Sequence, residues 1–284
     1  MTDDPKSFHI VFLLFDGITQ LDFTGPAQLL SRIPGAVVHT AAKAVKPVQT
    51  DSGFAILPST DFADCPQADL LCVPGGFGTR DVIQDEAALQ FLRDQAATAR
   101  YVTSVCTGSL ALGAAGLLAG KRATSHWAYT SLLEKFGARY EKARVVRDGN
   151  VITAGGVTSG IDFALSLVAE IAGEEVARSI QLSLEYDPQP PFSSGHPDIA
   201  DPKLVALLRD RVYDRHAPDP ISERRLFLFA LSSAAVVANG YYIHPLITPV
   251  AEEFGVSGAA IGLAPALNQI ALALGILFLL PLGD

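Results

Sequence analysis

Apolar runs recur along the first half of the chain and predict strands that are buried on both faces of a parallel sheet. The longer runs cover residues 8–15, 36–42, 68–73 and 101–105, and shorter ones cover residues 54–57 and 123–125. Helical patterns separate most of these runs. The alternation predicts an α/β fold in which a mostly parallel sheet carries helices on both faces.

Cap and turn residues set the expected ends of the helices. Thr24 or Gly25 is expected to cap the first helix, with Pro26 in its first turn and the end near Ile33. A glycine turn at Gly149 between two β-rich runs predicts a hairpin over residues 144–153. Further helices are predicted over residues 86–98, from the Cys106 turn to 116, after Trp127 to 137, and over 158–172, 174–186 and 202–215, with a proline-rich loop at 187–198.

The stretch YVTSVCTGSL, residues 101–110, joins a β-branched run to a small-residue helix at Cys106 without an intervening loop. Ser104 and Gly108 flank the cysteine, as small residues flank the nucleophile of hydrolases, where a strained turn lifts it above the sheet. The pattern predicts a nucleophile elbow, with an exposed thiol that the helix N-terminus shifts towards thiolate. A buried core cysteine is the alternative, and for Cys72 it is the simpler interpretation.

Polar groups at neighbouring strand ends are candidates for the rest of a site, because open α/β sheets bind ligands at that edge. Asp22 lies among apolar neighbours, where a carboxyl can gain a raised pKa and act as a general acid; a helix-capping role is the alternative. Backbone N–H groups of Gly75, Gly76 and Thr107 are expected to donate to developing negative charge. The Thr107 hydroxyl is expected to do the same or to position a water.

Aromatic residues are candidates for the wall of a substrate pocket. Phe77, in the glycine-rich loop after the fourth apolar run, is one candidate, together with Phe23 and Trp127. His126 is a candidate base, but a structural or pocket-lining imidazole is the favoured interpretation, because buried histidines are often simply hydrogen-bonded.

Charge and cysteine content narrow the class of partner. The net charge of −9 and a pI near 5.1, without a basic stripe, argue against a nucleic-acid-binding surface, so small molecules are the expected partners. Three cysteines lack the spacing of a disulfide framework or a metal site, which fits a reducing cytosol. The first residues show no signal-peptide pattern.

The last sixty or so residues differ from the rest in hydropathy. Residues 226–243 and 259–282 are uncharged, mostly apolar runs long enough to enter a bilayer, so they predict two transmembrane helices and a membrane partner through residues 224–282. Arg224 and Arg225 precede the first run, which by the positive-inside rule places the amino-terminal part in the cytoplasm. Buried helices of a soluble domain are the alternative, but the second run has almost no polar stripe.

The motifs LDFTGP, VPGG, SVCTGS and ATSHWAY, followed by VVRDGNVITAGGVTSGIDFAL, resemble those of the ThiJ/PfpI superfamily of class I glutamine-amidotransferase-like folds. The resemblance extends from residue 8 to about 215 and is greatest for the isonitrile hydratases. It implies a flavodoxin-like three-layer sandwich over residues 6–217, a homodimer, and catalytic roles for Cys106, Asp22 and Thr107. PfpI-type proteases have histidine directly after the cysteine, so Thr107 argues against proteolysis.

The activity that this resemblance implies is the hydration of an isonitrile, R–N≡C, to the N-substituted formamide. Cys106 attacks the terminal carbon while Asp22 protonates it, and water then releases the formamide from a thioimidate. No metal or organic cofactor is required. The alternatives are the ligand-sensing domain of AraC-type regulators, whose basic helix-turn-helix region has no counterpart here, another ThiJ/PfpI hydrolase or glyoxalase, and a non-catalytic binding module.

Residues 221–284 resemble the first two transmembrane helices of a major facilitator transporter. The resemblance implies a truncated transporter start joined to an enzyme domain. Two helices cannot form an alternating-access pathway, so membrane attachment of a cytoplasmic enzyme is expected and transport is not.

Overall fold

The computed structural model describes residues 7–214 and Gly255. Residues 7–214 belong to one unit of the chain, Met1–Pro220. The predicted membrane spans, at residues 226–243 and 259–282, lie outside the described residues. Within the described part of the chain, no helix is long and apolar enough to cross a membrane.

A mostly parallel sheet forms the centre of the fold. The described strands are β1 (Phe8–Leu13), β2 (Ala36–Ala42), β3 (Val48–Gln49), β4 (Ala55–Ile56), β5 (Thr60–Asp61), β6 (Leu70–Val73), β7 (Tyr101–Val105), β8 (Arg122–Ala123), β9 (Arg139–Tyr140), β10 (Val145–Asp148) and β11 (Val151–Ala154). Seven strands form one sheet in the order β10-β11-β7-β6-β1-β2-β5, in which neighbours are parallel except β10 and β11. The predicted hairpin is confirmed by that antiparallel pair.

Helices cover both faces of this sheet. They are α1 (Gln20–Leu30), α2 (Thr79–Val82), α3 (Glu86–Ala96), α4 (Gly108–Ala114), α5 (Ser159–Ala172), α6 (Glu174–Ser183) and α7 (Pro202–Leu208). Short 3₁₀ turns occur at Thr130–Leu132 and Glu134–Phe136, and α7 continues into a π-helical turn at Arg209–Tyr213.

Alternate residues of the central strands build two separate cores. Val11, Leu71 and Val102 belong to the core that contains the apolar faces of α3 and α4. Their neighbours Ile10 and Leu70 belong to the core that contains those of α1, α5 and α6. This alternation follows from the two-residue period of a strand, and it produces the predicted arrangement of helices, sheet and helices.

The start of α1 differs from the prediction and changes the setting of Asp22. The helix begins at Gln20 rather than after Thr24 or Gly25, because Thr19 adopts the extended backbone at its N-cap. The Thr24 hydroxyl donates to the Gln20 carbonyl oxygen at 3.0 Å, as it does inside a helix, and Pro26 lies within the helix. Asp22 therefore lies in the first helical turn and not in a loop.

Other boundaries differ in smaller ways. β1 ends at Leu13, two residues earlier than expected, and residues 55–56 pair with β3 outside the main sheet. The helix expected after Trp127 consists of two 3₁₀ turns instead. The two-residue strand β5 and the one-turn helix α2 are too short for a periodic pattern to predict.

Candidate active site

Cys106 lies at the turn between β7 and α4 in a left-handed backbone conformation, with φ of 58°. Residues that carry a side chain rarely adopt this conformation unless their surroundings hold it. The Cys106 N–H donates to the carbonyl oxygens of Ala154 at 3.0 Å and Gly155 at 2.8 Å. Its own carbonyl oxygen accepts from the hydroxyls of Ser109 and Ser125, each at 3.1 Å. The strained strand–cysteine–helix turn that the sequence predicts is thus present and fixed on both sides.

Two glycines let other backbone segments approach this turn closely. A Cβ on Gly108 would lie 1.9 Å from the Val73 carbonyl oxygen. A Cβ on Gly75 would lie 2.6 Å from the N and Oγ1 atoms of Thr107 and 2.9 Å from Asp22 Oδ2. The space between Asp22 and the elbow therefore admits the Gly75 backbone but no side chain at that position.

The Asp22 carboxyl is fully buried beneath the elbow. Its Oδ2 accepts the Gly75 N–H at 3.0 Å, whereas Oδ1 is buried and has no hydrogen-bond partner at normal geometry among the described residues. Burial raises the pKa of Asp22 to about 7, although the Gly75 N–H and the Cys106 thiol both lower it. The predicted raised pKa is therefore present in the structure.

Cys106 lines a cavity, but the residue as a whole is only 5% exposed. Burial and the charge of Asp22 raise the pKa of Cys106 well above its usual value, and the Thr107 N–H lowers it by less. The expectation of an exposed thiolate is therefore wrong, because α4 has only two turns and its dipole does not outweigh burial next to a carboxylate. Around neutral pH, Asp22 and Cys106 together hold one proton or two.

The Thr107 side chain joins the elbow to the glycine-rich loop. Thr107 Oγ1 accepts the Gly76 N–H at 2.9 Å and lies 2.9 Å from Thr79 Oγ1. The N–H groups of Gly75 and Gly76 are thus both engaged, the first with Asp22 and the second with Thr107. They differ from the free donors that the sequence predicted, and the N–H next to the sulfur is that of Thr107.

A cavity of about 310 Å³ opens above the sulfur. Of the predicted site residues, Cys106, Thr107, Gly76, Phe77 and His126 line it, whereas Asp22 and Gly75 lie behind its wall. Six lining residues were not predicted, namely Thr19, Asp51, Tyr129, Val157, Val212 and Tyr213. Phe23 is not in this wall and packs edge-on against Phe12 instead. Trp127 is also outside it and packs against Tyr213.

His126 is an uncharged part of the wall at neutral pH. Burial lowers its pKa to about 4. Its Nδ1 accepts the Ala128 N–H at 3.3 Å, and its ring centroid is 4.9 Å from that of Tyr213. The position fits the pocket-lining interpretation. Across the described residues, no three His, Cys, Asp or Glu side chains are placed to hold a metal ion.

Comparisons with known proteins agree with this geometry. The family model described as the DJ-1/PfpI family matches residues 8–170. Isonitrile hydratase of Pseudomonas putida is 54% identical over 205 residues, which are 72% of this chain and 90% of that protein. The crystal structure of a ThiJ/PfpI family protein from Pseudomonas syringae has a TM-score of 0.72 and 42% identity, covering 75% of this chain and 89% of that one.

A regulator is also among the similar proteins. The HTH-type transcriptional regulator GbdR of Pseudomonas aeruginosa is 30% identical over 192 residues, which are 65% of this chain and 52% of the regulator. The similarity is weaker than that to the hydratase and leaves about half of the regulator unmatched.

Proposed function

Since the chain belongs to the DJ-1/PfpI family, we propose that it is an isonitrile hydratase, a lyase that converts an isonitrile into the N-substituted formamide through Cys106. The observation that carries the proposal is a buried acid with a pKa near 7, Asp22, placed against the thiol of a strained elbow cysteine. The 54% identity to Pseudomonas putida isonitrile hydratase supports the same reaction.

The first step adds the S–H bond of Cys106 across the terminal carbon of the isonitrile. Asp22 takes the thiol proton and delivers it to the lone pair of that carbon, while the sulfur forms the C–S bond. The product is a thioimidate, R–N=CH–S–Cys106, and the Asp22 carboxylate is restored. The Thr107 N–H stabilises negative charge on the sulfur during the transfer.

The second step hydrates the thioimidate. Asp22 accepts one proton of a water as its oxygen attacks the carbon, and the other proton of that water passes from the new hydroxyl to the imine nitrogen. The C–S bond then breaks and the sulfur recovers its proton from Asp22, which gives R–NH–CHO. One water is consumed and the Asp22–Cys106 pair returns to its initial state, so the chain supplies every catalytic group. The wall residues Gly76, Phe77 and His126 contact the substrate, and Gly75 holds the acid in place.

The test is to incubate the purified full chain with cyclohexyl isocyanide and to quantify N-cyclohexylformamide by chromatography. Wild type and Cys65→Ser, which alters a cysteine outside the site, are expected to form the product. Cys106→Ala and Cys106→Ser are expected to form none. Peptide mass spectrometry of an acid-quenched reaction is expected to find the added mass on Cys106.

Three results would contradict the proposal. Product formation by Cys106→Ala would exclude the covalent route. A folded wild-type protein that binds the isonitrile without converting it would favour the sensor alternative, to which the similarity to GbdR points. Conversion of a different electrophile in place of the isonitrile would favour another ThiJ/PfpI hydrolase or glyoxalase.

The remaining parts of the proposal concern assembly. We propose a homodimer of an enzyme domain at residues 6–217 and attachment to the membrane through residues 224–282, with the enzyme facing the cytoplasm. Only the sequence pattern supports the attachment. Light scattering and sedimentation of cell fractions test the two points, and a monomer or a full chain that stays in the supernatant would contradict them.

A further inference from the structure

The turn that follows helix α7 lines part of the cavity beside Cys106. Helix α7 continues into the π-helical turn Arg209–Tyr213, and the two final residues of that turn, Val212 and Tyr213, line the cavity. They lie more than one hundred residues after the elbow in sequence. Part of the cavity wall is therefore formed by a segment that lies in none of the family motifs in the sequence.

Specific contacts hold this turn in place. The Tyr129 hydroxyl donates to the Tyr213 carbonyl oxygen at 3.0 Å. The Arg209 guanidinium lies 5.2 Å from the centre of the Trp127 ring, and its Nη1 is 3.5 Å from the Ala128 carbonyl oxygen. Both partners belong to the segment that also carries His126. The turn is thus fixed to the segment that carries His126, another residue of the cavity wall.

The Tyr213 ring fills space that a larger substrate would need. Its centroid lies 4.9 Å from that of His126, 5.8 Å from that of Tyr129 and 6.5 Å from that of Phe77. Tyr213 and Cys106 line the same cavity, and burial, with a smaller contribution from Cys106, raises the pKa of the Tyr213 hydroxyl. With Trp127, whose ring centroid is 5.1 Å away, four rings pack around Tyr213, and Tyr213 lines the same cavity as Cys106.

The residues of the cavity wall also indicate which kind of substituent on the isonitrile fits the site. The wall residues are aromatic, aliphatic or small, and Asp51 is the one acidic residue among the described residues that line the cavity. None of the described residues that line the cavity is a lysine or an arginine that could pair with an anion. A volume of about 310 Å³ lies at the small end of ligand pockets.

We infer that Tyr213 is a specificity-determining residue that restricts this site to uncharged isonitriles with compact substituents. The substrate class, an isonitrile, rests on the proposed function, whereas the size limit is a property of the cavity. Removing the ring enlarges the space beside Cys106 and admits bulkier molecules. Removing only the hydroxyl leaves the wall in place, because the backbone carbonyl and not the hydroxyl holds the turn.

The first experiment compares kcat/KM for cyclohexyl isocyanide and 2-naphthyl isocyanide in full-length variants. Tyr213→Ala is expected to raise the naphthyl-to-cyclohexyl ratio roughly tenfold or more, the range that small changes of pocket size produce. Tyr213→Leu is expected to raise it by less. Tyr213→Phe, which keeps the ring, and Leu204→Ala, on the exposed side of α7, are expected to keep the wild-type ratio. An unchanged ratio in both Tyr213→Ala and Tyr213→Leu would overturn the inference.

The second experiment does not depend on hydration. Iodoacetamide and N-(1-naphthyl)iodoacetamide alkylate the Cys106 sulfur with loss of iodide and of the thiol proton, and peptide mass spectrometry separates this product from those at Cys65 and Cys72. Tyr213→Ala is expected to speed the naphthyl reagent at least tenfold relative to iodoacetamide. If wild type hydrates no isonitrile but this relative rate rises, the proposed function fails and the size limit stands. If the relative rate equals that of Tyr213→Phe, the size limit fails.

Discussion

Replacing Asp22 with asparagine is expected to stabilise the protein at alkaline pH while it abolishes hydration. The Asp22 carboxyl is fully buried, and burial raises its pKa from 3.8 to about 7. When a carboxyl has a higher pKa in the folded protein than in the unfolded chain, its ionisation lowers the stability of the folded protein. This loss of stability is absent below pH 3.8, grows as pH rises and is complete once pH has passed about 7. Asparagine cannot ionise, so the variant escapes this loss.

The size of the effect follows from the two pKa values. At about 1.4 kcal/mol for each pH unit between them, ionising the folded-state carboxyl costs about 4 kcal/mol once pH exceeds both. Asparagine retains an oxygen for the Gly75 N–H, but its amide beside Cys106 costs about 1–3 kcal/mol if it lacks an acceptor. Asp22→Asn should therefore exceed wild type by about 1–3 kcal/mol near pH 8.5 and gain about 3 kcal/mol on wild type between about pH 4.5 and 8.5.

The assay is urea unfolding of both proteins at several pH values, followed by the fluorescence of Trp127, the single tryptophan of the chain. Asp85→Asn is the control, because the hydrogen bond from Lys43 lowers the pKa of Asp85. The stability contributed by Asp85 is present above its unfolded-state pKa and is lost as pH falls through its lower folded-state value, so its deficit should be nearly constant over the range used. A constant difference between Asp22→Asn and wild type would refute the reasoning about a buried acid.

Three other outcomes test the same site. The rate constant kcat/KM for cyclohexyl isocyanide is expected to rise as pH rises through about 7, because Asp22 ionises and the Asp22–Cys106 pair then holds one proton. A flat profile from about pH 5.5 to 8.5 would contradict the shared proton. Gly75→Ala is expected to lower kcat/KM roughly 100-fold or more, because its Cβ would lie 2.6 Å from two atoms of Thr107. Gly195→Ala has no atom within 4 Å of the new Cβ and should match wild type. Burial lowers the pKa of His126 from 6.5 to about 4. The contribution of neutral His126 to protein stability is therefore fully present above pH 6.5 and is lost as pH falls through about 4. His126→Gln should therefore show a smaller fall in Tm than wild type between about pH 7.5 and 4.5, and an equal fall would contradict this account.

Local patterns were sufficient to predict the sheet and the elbow. Because a β-branched run is followed at once by small helix-forming residues, Cys106 must lie at the turn between the strand and the helix. The left-handed φ of 58° at Cys106 is the consequence. The alternation of apolar runs with helices likewise predicts a parallel sheet, and β1, β2, β6 and β7 do pair in parallel. Both features depend on residues that are adjacent in sequence.

Features that depend on distant contacts were missed or misjudged. Thr24-Gly25-Pro26 is typical of a helix start, yet Thr19 caps α1 and the Asp22 carboxyl receives an N–H from Gly75, more than fifty residues away. Tyr213 belongs to no motif, and only the folded chain brings its ring to His126. The protonation state of Cys106 was misjudged because burial, which sequence does not measure, outweighs the end of a short helix.

In the proposed mechanism, the buried thiol and the buried acid carry the proton between them, and no histidine is assigned that role. A lone thiol in this cavity would stay protonated, and a lone carboxylate would be destabilised by about the amount worked out above. Side by side, each provides what the other lacks: the acid accepts the thiol proton, and the proton relieves the desolvated charge. The addition of S–H to one carbon atom consumes a single proton at the point where the pair holds it. The strained turn at Cys106 and the bare backbone at Gly75 keep the two groups in contact, so the conformational cost of the elbow is linked directly to the chemistry.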